Sequence, residues 1–254
     1  MIENILILLN RIYRQVLLMY LRYPKIVKCN ICNWNGRRFI DDNWLKMVSC
    51  PNCYSGIRHR LLLFSIMDEP ILINNIKNKR ILHFAPESFL IPYLNTSKNY
   101  VTADYYRKDV DINLDISNMN DISDCEYDMV IASDVLEHVY DDIKAIYELN
   151  RILKIGGIAI LTVPQKDNLN KTIEDLSDLS SEERRIKLGQ KDHYRIYGYD
   201  FYDKLTKAQF NVHIIDAKTV DKFISSKYVL IPPILGFHPM VTNYRKIYHA
   251  IKST

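Results

Sequence analysis

Two pairs of cysteines in this sequence have a spacing that suits a metal ion. They are Cys29-Asn-Ile-Cys32 and Cys50-Pro-Asn-Cys53, with residues 33–49 between them. A C-x-x-C turn directs two thiolates toward one point, and two such turns complete a tetrahedron around Zn²⁺. Binding of a structural zinc contributes on the order of 10 kcal/mol, enough to fold a segment too small for its own core. The pattern therefore predicts a structural zinc site formed by Cys29, Cys32, Cys50 and Cys53.

Two disulfides or a redox pair would be the alternative use of these cysteines. The start of the chain does not resemble a secretory signal, because Glu3 lies where basic residues are expected and Arg11 and Arg14 interrupt the apolar run. Disulfides are rare in reducing compartments. We therefore expect a cytoplasmic protein whose paired thiolates bind zinc, with Cys125 as an uninvolved fifth cysteine.

A second group of reactive side chains follows the apolar run at residues 129–132. Ser133 and Asp134 come first, and Glu137 and His138 follow. A carboxylate or an imidazole at this place can take the proton of a reacting hydroxyl. Alternatively, Glu137 caps a helix while His138 packs below it. A third possibility is that Asp134, Glu137 and His138 together hold Mg²⁺ or another divalent ion.

A third group lies in residues 165–197. We interpret these residues as an insertion after a buried strand, which forms the pocket for the substrate that reacts (the acceptor) and the lid of that pocket. His193, Arg195 and Tyr197 alternate, so an extended segment would project all three from one face. An imidazole, a guanidinium and a phenol suit a hydroxylated or anionic acceptor, and the adjacent Asp192 is a further candidate base. The alternative is a polar brace that ties the insertion to the sheet.

The elements that position these groups can be predicted from hydrophobic periodicity. Residues 128–164 indicate a strand, a short acidic loop, a helix that begins at Glu137 and His138, a glycine turn and a second strand. Lys154 would occupy the last turn of the helix and Gly156-Gly157 would end it. Two buried strands joined by a helix form a parallel βαβ unit. Ligands bind beyond the carboxyl ends of such strands, where residues 133–138 lie.

Five other segments complete the predicted sheet. They are Arg80–Phe84, Tyr100–Asp104, Ile112–Asp115, Asn211–Ile215 and, as an antiparallel seventh strand, Lys246–Lys252. The expected fold is an α/β, Rossmann-like, seven-stranded sheet with helices on both faces, together with a small N-terminal zinc-ribbon segment.

Length and charge limit the other possibilities. A chain of 254 residues can hold one α/β domain and a small module, which we place at residues 61–254 and 26–60. The net charge of +4 implies no strong general attraction to nucleic acid. Basic and aromatic residues around the cysteines keep nucleic acid open as a less favoured partner. Only 7 glycines is few for a domain that binds a nucleotide-like cofactor.

Residues 1–25 predict an amphipathic helix with a narrow polar stripe. Such a helix docks on the body of the protein or on a second subunit, or it lies in a membrane surface as a peripheral contact. No run of 18 apolar residues is present, so we do not expect it to span a membrane.

The order of the motifs along the chain adds a resemblance. CNICNWNGRRF, CPNCYSGIRHR, ILHFAPESFL, YVTADYY, LDIS, VLEHVYDD, RILKIGG and GQKDHYRIYGYDF follow one another over residues 20–215. Together they resemble a family of class I methyltransferases that depend on S-adenosylmethionine (SAM). Its members have an N-terminal four-cysteine zinc segment and an HFAPE loop in place of the glycine-rich motif. Ile57 departs from the acidic residue expected there.

The resemblance implies a SAM cofactor and a set of residues that bind it. Glu87 would meet the ammonium or sulfonium side and Asp104 the ribose hydroxyls, while Asp115 and the next backbone N–H would meet the adenine. The implied cofactor-binding residues are His83, Phe84, Ala85, Glu87, Asp104, Asp115, Ile116, Ser133 and Asp134. The expected reaction is methyl transfer to a hydroxyl of a small-molecule or carbohydrate-type (glycan) acceptor. The alternatives are a nucleic-acid-modifying methyltransferase and a SAM-binding protein without activity.

Overall fold

The computed structural model describes residues 2–67, 76–237 and 242–253. Two features that the sequence predicts lie outside these residues, namely a break after the helical pattern at Pro70 and the end at Met240 of a hairpin-like segment that begins at Ile231. The chain forms two compact units, residues 1–65 with 216–245 and residues 66–215 with 246–254. We expected residues 61–254 to form one domain, whereas residues 216–245 group with the N-terminal segment.

The helices and strands were numbered in chain order. They are α1 Ile2–Tyr20, β1 Val27–Lys28, β2 Asn35–Gly36, α2 Ile57–Met67, β3 Arg80–Phe84, α3 Ile91–Leu94, β4 Asn99–Asp104, β5 Ile112–Asn113, β6 Tyr127–Ser133, α4 Asp142–Ile152, β7 Leu153–Thr162, β8 Ile173–Glu174, α5 Ser181–Leu188, β9 Arg195–Ile196, α6 Phe201–Lys207, β10 Phe210–Asp216, α7 Lys222–Tyr228 and β11 Lys246–Lys252. Short 3₁₀ turns occupy Ile76–Asn78 and Leu136–His138.

The first unit is held together by a buried arginine. The guanidinium of Arg60 donates to the carbonyl oxygens of Tyr228 at 2.7 Å and Val229 at 3.0 Å, so it joins α2 to the end of α7. It also donates to the carbonyls of Val48 and Ser55. Burial lowers its pKa to about 10, so it stays charged at neutral pH. These bonds explain why residues 216–245 belong to this unit, and they remove Arg60 from the basic surface of the zinc segment.

Helix α1 exposes its apolar side chains to solvent. Between Ile5 and Tyr20, ten large apolar side chains are at least 50% exposed. Arg14 is the inward exception, because it donates to the carbonyl of Asn52 and lies 5.3 Å from the centre of the Tyr54 ring. None of the helices among the described residues has the length and apolar character needed to cross a bilayer.

The second unit contains the predicted sheet. In the described part of the chain, seven strands pair in the order β10-β11-β7-β6-β3-β4-β5. Strands β7, β6, β3, β4 and β5 run parallel, and β11 pairs antiparallel with β7. Residues 81–84 and 129–133 are buried without interruption, as expected for central parallel strands that are covered on both faces.

The helix between β6 and β7 begins later and ends earlier than the sequence predicted. Glu137 and His138 form a separate 3₁₀ turn, and α4 is capped by Asp141, whose side chain accepts from the N–H of Lys144 at 2.9 Å. The helix ends at Ile152, so Lys154 lies in β7 and not in the last helical turn. Gly156 has φ +75° inside a bulge of β7, a conformation that favours glycine.

Candidate functional site

Four cysteines of the first unit form a compact cluster. The Sγ atoms of Cys29 and Cys53 are 3.7 Å apart and those of Cys32 and Cys50 are 3.6 Å apart, and all four lie within 4.8 Å of one another. Zinc–sulfur bonds of about 2.3 Å in a tetrahedron place sulfurs about 3.8 Å apart. A disulfide needs about 2.05 Å. The cluster therefore has the spacing of a four-thiolate metal site and not of two disulfides.

The two cysteine turns share one backbone geometry. In the first, the N–H of Asn33 donates to the carbonyl oxygen of Cys29 at 2.9 Å, and in the second the N–H of Tyr54 donates to the carbonyl oxygen of Cys50 at 2.8 Å. Both Asn33 and Tyr54 have positive φ, near 59° and 58°. Contact with Cys32 lowers the pKa of the Cys29 thiol far below its usual value, which favours a thiolate. Matching turns that aim their thiols at one point are what the paired C-x-x-C motifs predict.

The candidate cofactor residues of the second unit follow the carboxyl ends of neighbouring parallel strands. Phe84 is level with Ala103 on β4 and with Ala132 on β6, and Ser133 is level with Thr162 on β7. The side chain of Phe84 belongs to the hydrophobic core of this unit. Residues just beyond these positions therefore share one edge of the sheet.

His83 lies at this edge and is fully buried. Its Nδ1 is 2.8 Å from the hydroxyl of Tyr100, and its Nε2 is 3.3 Å from Oε2 of Glu87. Burial raises the pKa of Tyr100, so this phenol stays protonated. Ala85 follows with φ 45°, the left-handed conformation that glycine adopts without strain. Tyr100 was not predicted as a site residue. Its position on β4, the strand that pairs with β3, was the only indication in the sequence that it could contact His83.

Asp104 ends strand β4, and Asp115 lies in the loop that follows strand β5. Oδ1 of Asp104 accepts the N–H groups of Tyr106 and Arg107 at 2.8 and 2.9 Å. Asp115 accepts the N–H and the hydroxyl of Ser117 at 2.8 and 2.7 Å. Both side chains are half-buried and organise the loop that follows them. Strand β5 ends at Asn113, two residues before Asp115, and Ile116 is buried.

Ser133 and Asp134 are connected through Thr162, which lies on the strand predicted to follow the glycine turn. Oγ1 of Thr162 lies 2.9 Å from the Ser133 hydroxyl and donates to Oδ1 of Asp134 at 2.7 Å. Asp134 has φ 50°. Thr162 was not predicted as a site residue, although a polar residue at the carboxyl end of a buried strand could have indicated it.

The insertion brings His193 to the 3₁₀ turn. The N–H of Tyr194 donates to the carbonyl of Glu137 at 2.8 Å, and the rings of His138 and His193 are 4.7 Å apart. Ligand atoms of Glu137, His138 and His193 all lie within 4.8 Å of one another. Burial and the nearby His138 lower the pKa of His193, which keeps its imidazole neutral at pH 7. Asp192 lies beside His138, with 3.3 Å between Oδ2 and Nδ1.

The side chains of Arg195 and Tyr197 are not part of the cluster formed by Glu137, His138 and His193. Arg195 is fully buried and donates to the carbonyls of Leu136 at 2.9 Å and Tyr140 at 2.8 Å. The hydroxyl of Tyr197 donates to Asp142 at 2.8 Å, and burial raises its pKa well above the usual value. Only Arg195–Ile196 is strand, so the extended segment predicted from His193 to Tyr197 is not formed over its whole length. These contacts favour the brace over an acceptor-binding role for this pair.

Comparison with known proteins agrees with this fold. A family described as "Methyltransferase domain" matches residues 92–161. None of the curated proteins compared matches the chain. A chain from the complex of a methyltransferase activator and a methyltransferase of Haloferax volcanii superposes with a TM-score of 0.50 at 11% identity, covering 78% of this chain and 91% of that one. YcgJ of Bacillus subtilis has a TM-score of 0.47 at 14% identity, over 77% of this chain and 99% of that chain. The Burkholderia thailandensis 1,6-didemethyltoxoflavin-N1-methyltransferase has 0.49 at 10% identity, over 78% and 79%.

The likeness to the Haloferax volcanii chain shows the fold, and the family match supports a methyltransferase. The matched residues extend from α3 to the end of β7 and include the ends of β4, β5 and β6. The four-cysteine cluster and the 165–197 insertion lie outside them.

Proposed function

We propose that this protein transfers a methyl group from SAM to a hydroxyl of a small-molecule or carbohydrate-type acceptor. The observation that carries the proposal is that the methyltransferase match, residues 92–161, includes strands β4, β5 and β6, after whose carboxyl ends Asp104, Asp115 and Ser133 lie. Ligands of open parallel sheets bind at this edge.

The cofactor would be held by residues from successive strand ends. Asp104 would accept the ribose hydroxyls, and Asp115 with the N–H of Ile116 would contact the adenine. Glu87, supported by His83, would face the positively charged ammonium or sulfonium group. The hydrogen bonds from Tyr106 and Arg107 to Oδ1 of Asp104 support this role, because they orient the carboxylate in advance. The four-residue helix α3 is too short for its N-terminus to carry the cofactor carboxylate alone.

Asp134 and Ser133 would form the floor below the reactive sulfonium. Thr162 links both side chains, which makes this part of the site rigid. The backbone of Ala85 would contact the cofactor, as the backbone of glycine does in glycine-rich cofactor loops. Its left-handed conformation, which glycine adopts without strain, supports this role.

The acceptor would be activated by the cluster of Glu137, His138 and His193. SAM already carries its methyl group on a good leaving group, so the protein must align the acceptor oxygen and deal with its proton. The oxygen–methyl bond forms as the sulfur–methyl bond breaks, and S-adenosylhomocysteine leaves. A neutral buried imidazole beside a carboxylate supports handling of a hydroxyl proton.

The four-cysteine cluster would bind one structural zinc. Its sulfur spacing and matching turns support this. Zinc would hold residues 29–53 together, since the cysteines belong to a small buried cluster with Val27, Phe39 and Val229.

The test has two stages. Calorimetry with SAM and S-adenosylhomocysteine measures cofactor binding, and incubation with isotope-labelled SAM and separate pools of small molecules, glycans and nucleic acids identifies the acceptor by mass spectrometry. We expect binding of both cofactor forms and label in the small-molecule or glycan pool. Label in the nucleic-acid pool would replace the proposed acceptor class, and binding without label in any pool would indicate a SAM-binding protein without activity.

A further inference from the structure

We propose that Glu137, His138 and His193 form a second metal site, which binds one divalent transition-metal ion beside the proposed methyl-transfer centre. The site contains one carboxylate and two imidazoles, and its ligand atoms lie within 4.8 Å of one another. Oε1 of Glu137 and Nε2 of His138 are 3.9 Å apart. Ligands bound at about 2.1 Å stand about 3.0–3.4 Å apart, so modest side-chain rotations would close the set around an ion.

His193 is oriented as a metal ligand would be. Its Nδ1 is 3.0 Å from the carbonyl oxygen of Leu188, which can only accept a hydrogen bond, so the proton resides on Nδ1. Nε2 therefore carries a lone pair, and it has no hydrogen-bond partner among the described residues although the side chain is 3% exposed. A buried acceptor without a partner is costly, and a bound cation would satisfy it.

His138 has the same kind of support. Its Nδ1 lies 3.3 Å from Oδ2 of Asp192, which leaves Nε2 on the side of Glu137. Histidines that bind metals usually donate their other ring N–H to a carboxylate or a backbone carbonyl. Here His138 has the carboxylate of Asp192 as this partner, and His193 has the backbone carbonyl of Leu188. The N–H of Tyr194 donates to the carbonyl of Glu137, and this bond fixes the insertion against the 3₁₀ turn, so the site depends on both segments.

The ligand types limit which ions fit. Two imidazoles favour iron, nickel, copper or zinc over Mg²⁺, which prefers oxygen ligands, and the carboxylate of Glu137 also suits Mn²⁺. Asp134, which the sequence spacing had grouped with Glu137 and His138, instead accepts from Thr162 at 2.7 Å. His193 replaces it as the third ligand. Sequence spacing could not find His193, because it is brought in by the insertion.

An ion at this place would leave coordination positions open, since the His138 side chain is 34% exposed. Resting on the proposed function, an acceptor hydroxyl bound there would become more acidic. Its proton would pass to water, its oxygen would attack the methyl carbon of SAM, and the sulfur–carbon bond would break to release S-adenosylhomocysteine. With the ion bound, His193 would act as its ligand, in place of the direct proton transfer that its neutral imidazole would allow in the metal-free protein.

The site can be tested with Mn²⁺ and the full chain after addition of one equivalent of zinc, because the four thiolates take that zinc in preference to two imidazoles and a carboxylate, and Mn²⁺ competes poorly for sulfur. Electron paramagnetic resonance measures free Mn²⁺ during titration. We expect one Mn²⁺ per chain, and affinity at least tenfold weaker in His193→Ala and in Glu137→Gln. His213→Ala is the matched control, since His213 is an exposed histidine on β10, and its Mn²⁺ affinity should be unchanged.

Circular dichroism and SAM calorimetry on the same samples separate the possible failures. His193→Gln serves as a second variant if the alanine variant does not fold. The metal proposal is overturned if wild-type protein binds no stoichiometric Mn²⁺, or if folded His193 variants bind it as tightly as wild type. Loss of SAM binding by wild-type protein would instead overturn the proposed function, and the Mn²⁺ titration would still decide the metal site.

Discussion

Nδ1 of His193 lies 3.0 Å from the carbonyl oxygen of Leu188, the last residue of α5. The end of a helix in the insertion thus fixes the tautomer of a buried histidine and turns its other nitrogen toward Glu137 and His138. A capping box between Ser180 and Glu183 and a left-handed Gly189 fix the two ends of that helix. The position of one reactive nitrogen therefore depends on the caps of a helix several residues away.

His193→Ala should lower the rate of methyl transfer by about 10²-fold or more while leaving SAM affinity unchanged. The reason is that the imidazole would act on the acceptor and not on the cofactor. Turnover with labelled SAM and calorimetry measure the two quantities. Glu137→Gln should behave similarly, whereas His213→Ala should keep full activity. Wild-type turnover in His193→Ala would exclude it from the acceptor side.

Asp104→Ala should weaken SAM binding by about 1–3 kcal/mol, since it removes the charged acceptor proposed for the ribose hydroxyls. Asp104→Asn keeps an oxygen for the N–H groups of Tyr106 and Arg107, so it separates loss of charge from loss of loop order. Asp109→Ala is the control, because Asp109 is an exposed carboxylate in the same loop. Unchanged affinity in both Asp104 variants would remove this residue from the cofactor site.

Cys50→Ser should lose bound zinc and lower the melting temperature of the protein. One zinc per chain is expected in wild-type protein by elemental analysis, and the stabilisation by structural zinc is large. Cys125→Ser should keep its zinc, because Cys125 is exposed and lies outside the cluster. Folded, zinc-free wild-type protein would refute the structural role.

Tyr197→Phe should reduce the free energy of unfolding by about 1–2 kcal/mol, because Asp142 loses a buried hydrogen bond. Lys204 still donates to Asp142 at 2.7 Å, which limits the loss. Tyr202→Phe, on the more exposed face of α6, should have little effect. If Tyr197→Phe instead leaves stability unchanged and raises KM for the acceptor, the side chain binds acceptor and is not a brace.

His249 should make stability fall as the solution becomes acidic. Burial and the neighbouring His213 lower its pKa to about 4, compared with about 6.5 in an unfolded chain. Between these values the unfolded chain binds a proton that the folded chain does not, so the free energy of unfolding falls as pH falls from about 6.5 to about 4, by about 2–3 kcal/mol. Below that window this group adds no further change.

Urea denaturation at pH 7 and pH 4.5 measures the effect. His249→Gln should lose less stability than wild type over this interval, while the exposed His213→Gln should lose nearly as much as wild type. Equal losses in His249→Gln and wild type would show that other groups account for the acid sensitivity.

The sequence by itself determined the sheet and the cysteine cluster. Strands β3, β4, β6, β10 and β11 lie where the sequence predicted them. For β3 and β6 the reason is that uninterrupted runs of buried residues fit only central strands of a sheet that is covered on both faces. The paired C-x-x-C motifs specified the four-sulfur cluster for a similar reason, since each turn is set by residues adjacent in the chain. Local patterns were sufficient wherever the geometry is local.

Only the tertiary structure decided how the polar groups are used. His193, Arg195 and Tyr197 alternate in the sequence, yet His193 faces Glu137 and His138 while Arg195 and Tyr197 bond to buried partners around α4. The return of residues 216–245 to the N-terminal unit, held by Arg60, likewise had no local signal. The spacing of polar side chains along the sequence does not predict which residues they will contact. Its role is fixed by which donor or acceptor the folded chain brings within about 3 Å, and that is set by contacts between segments far apart in sequence.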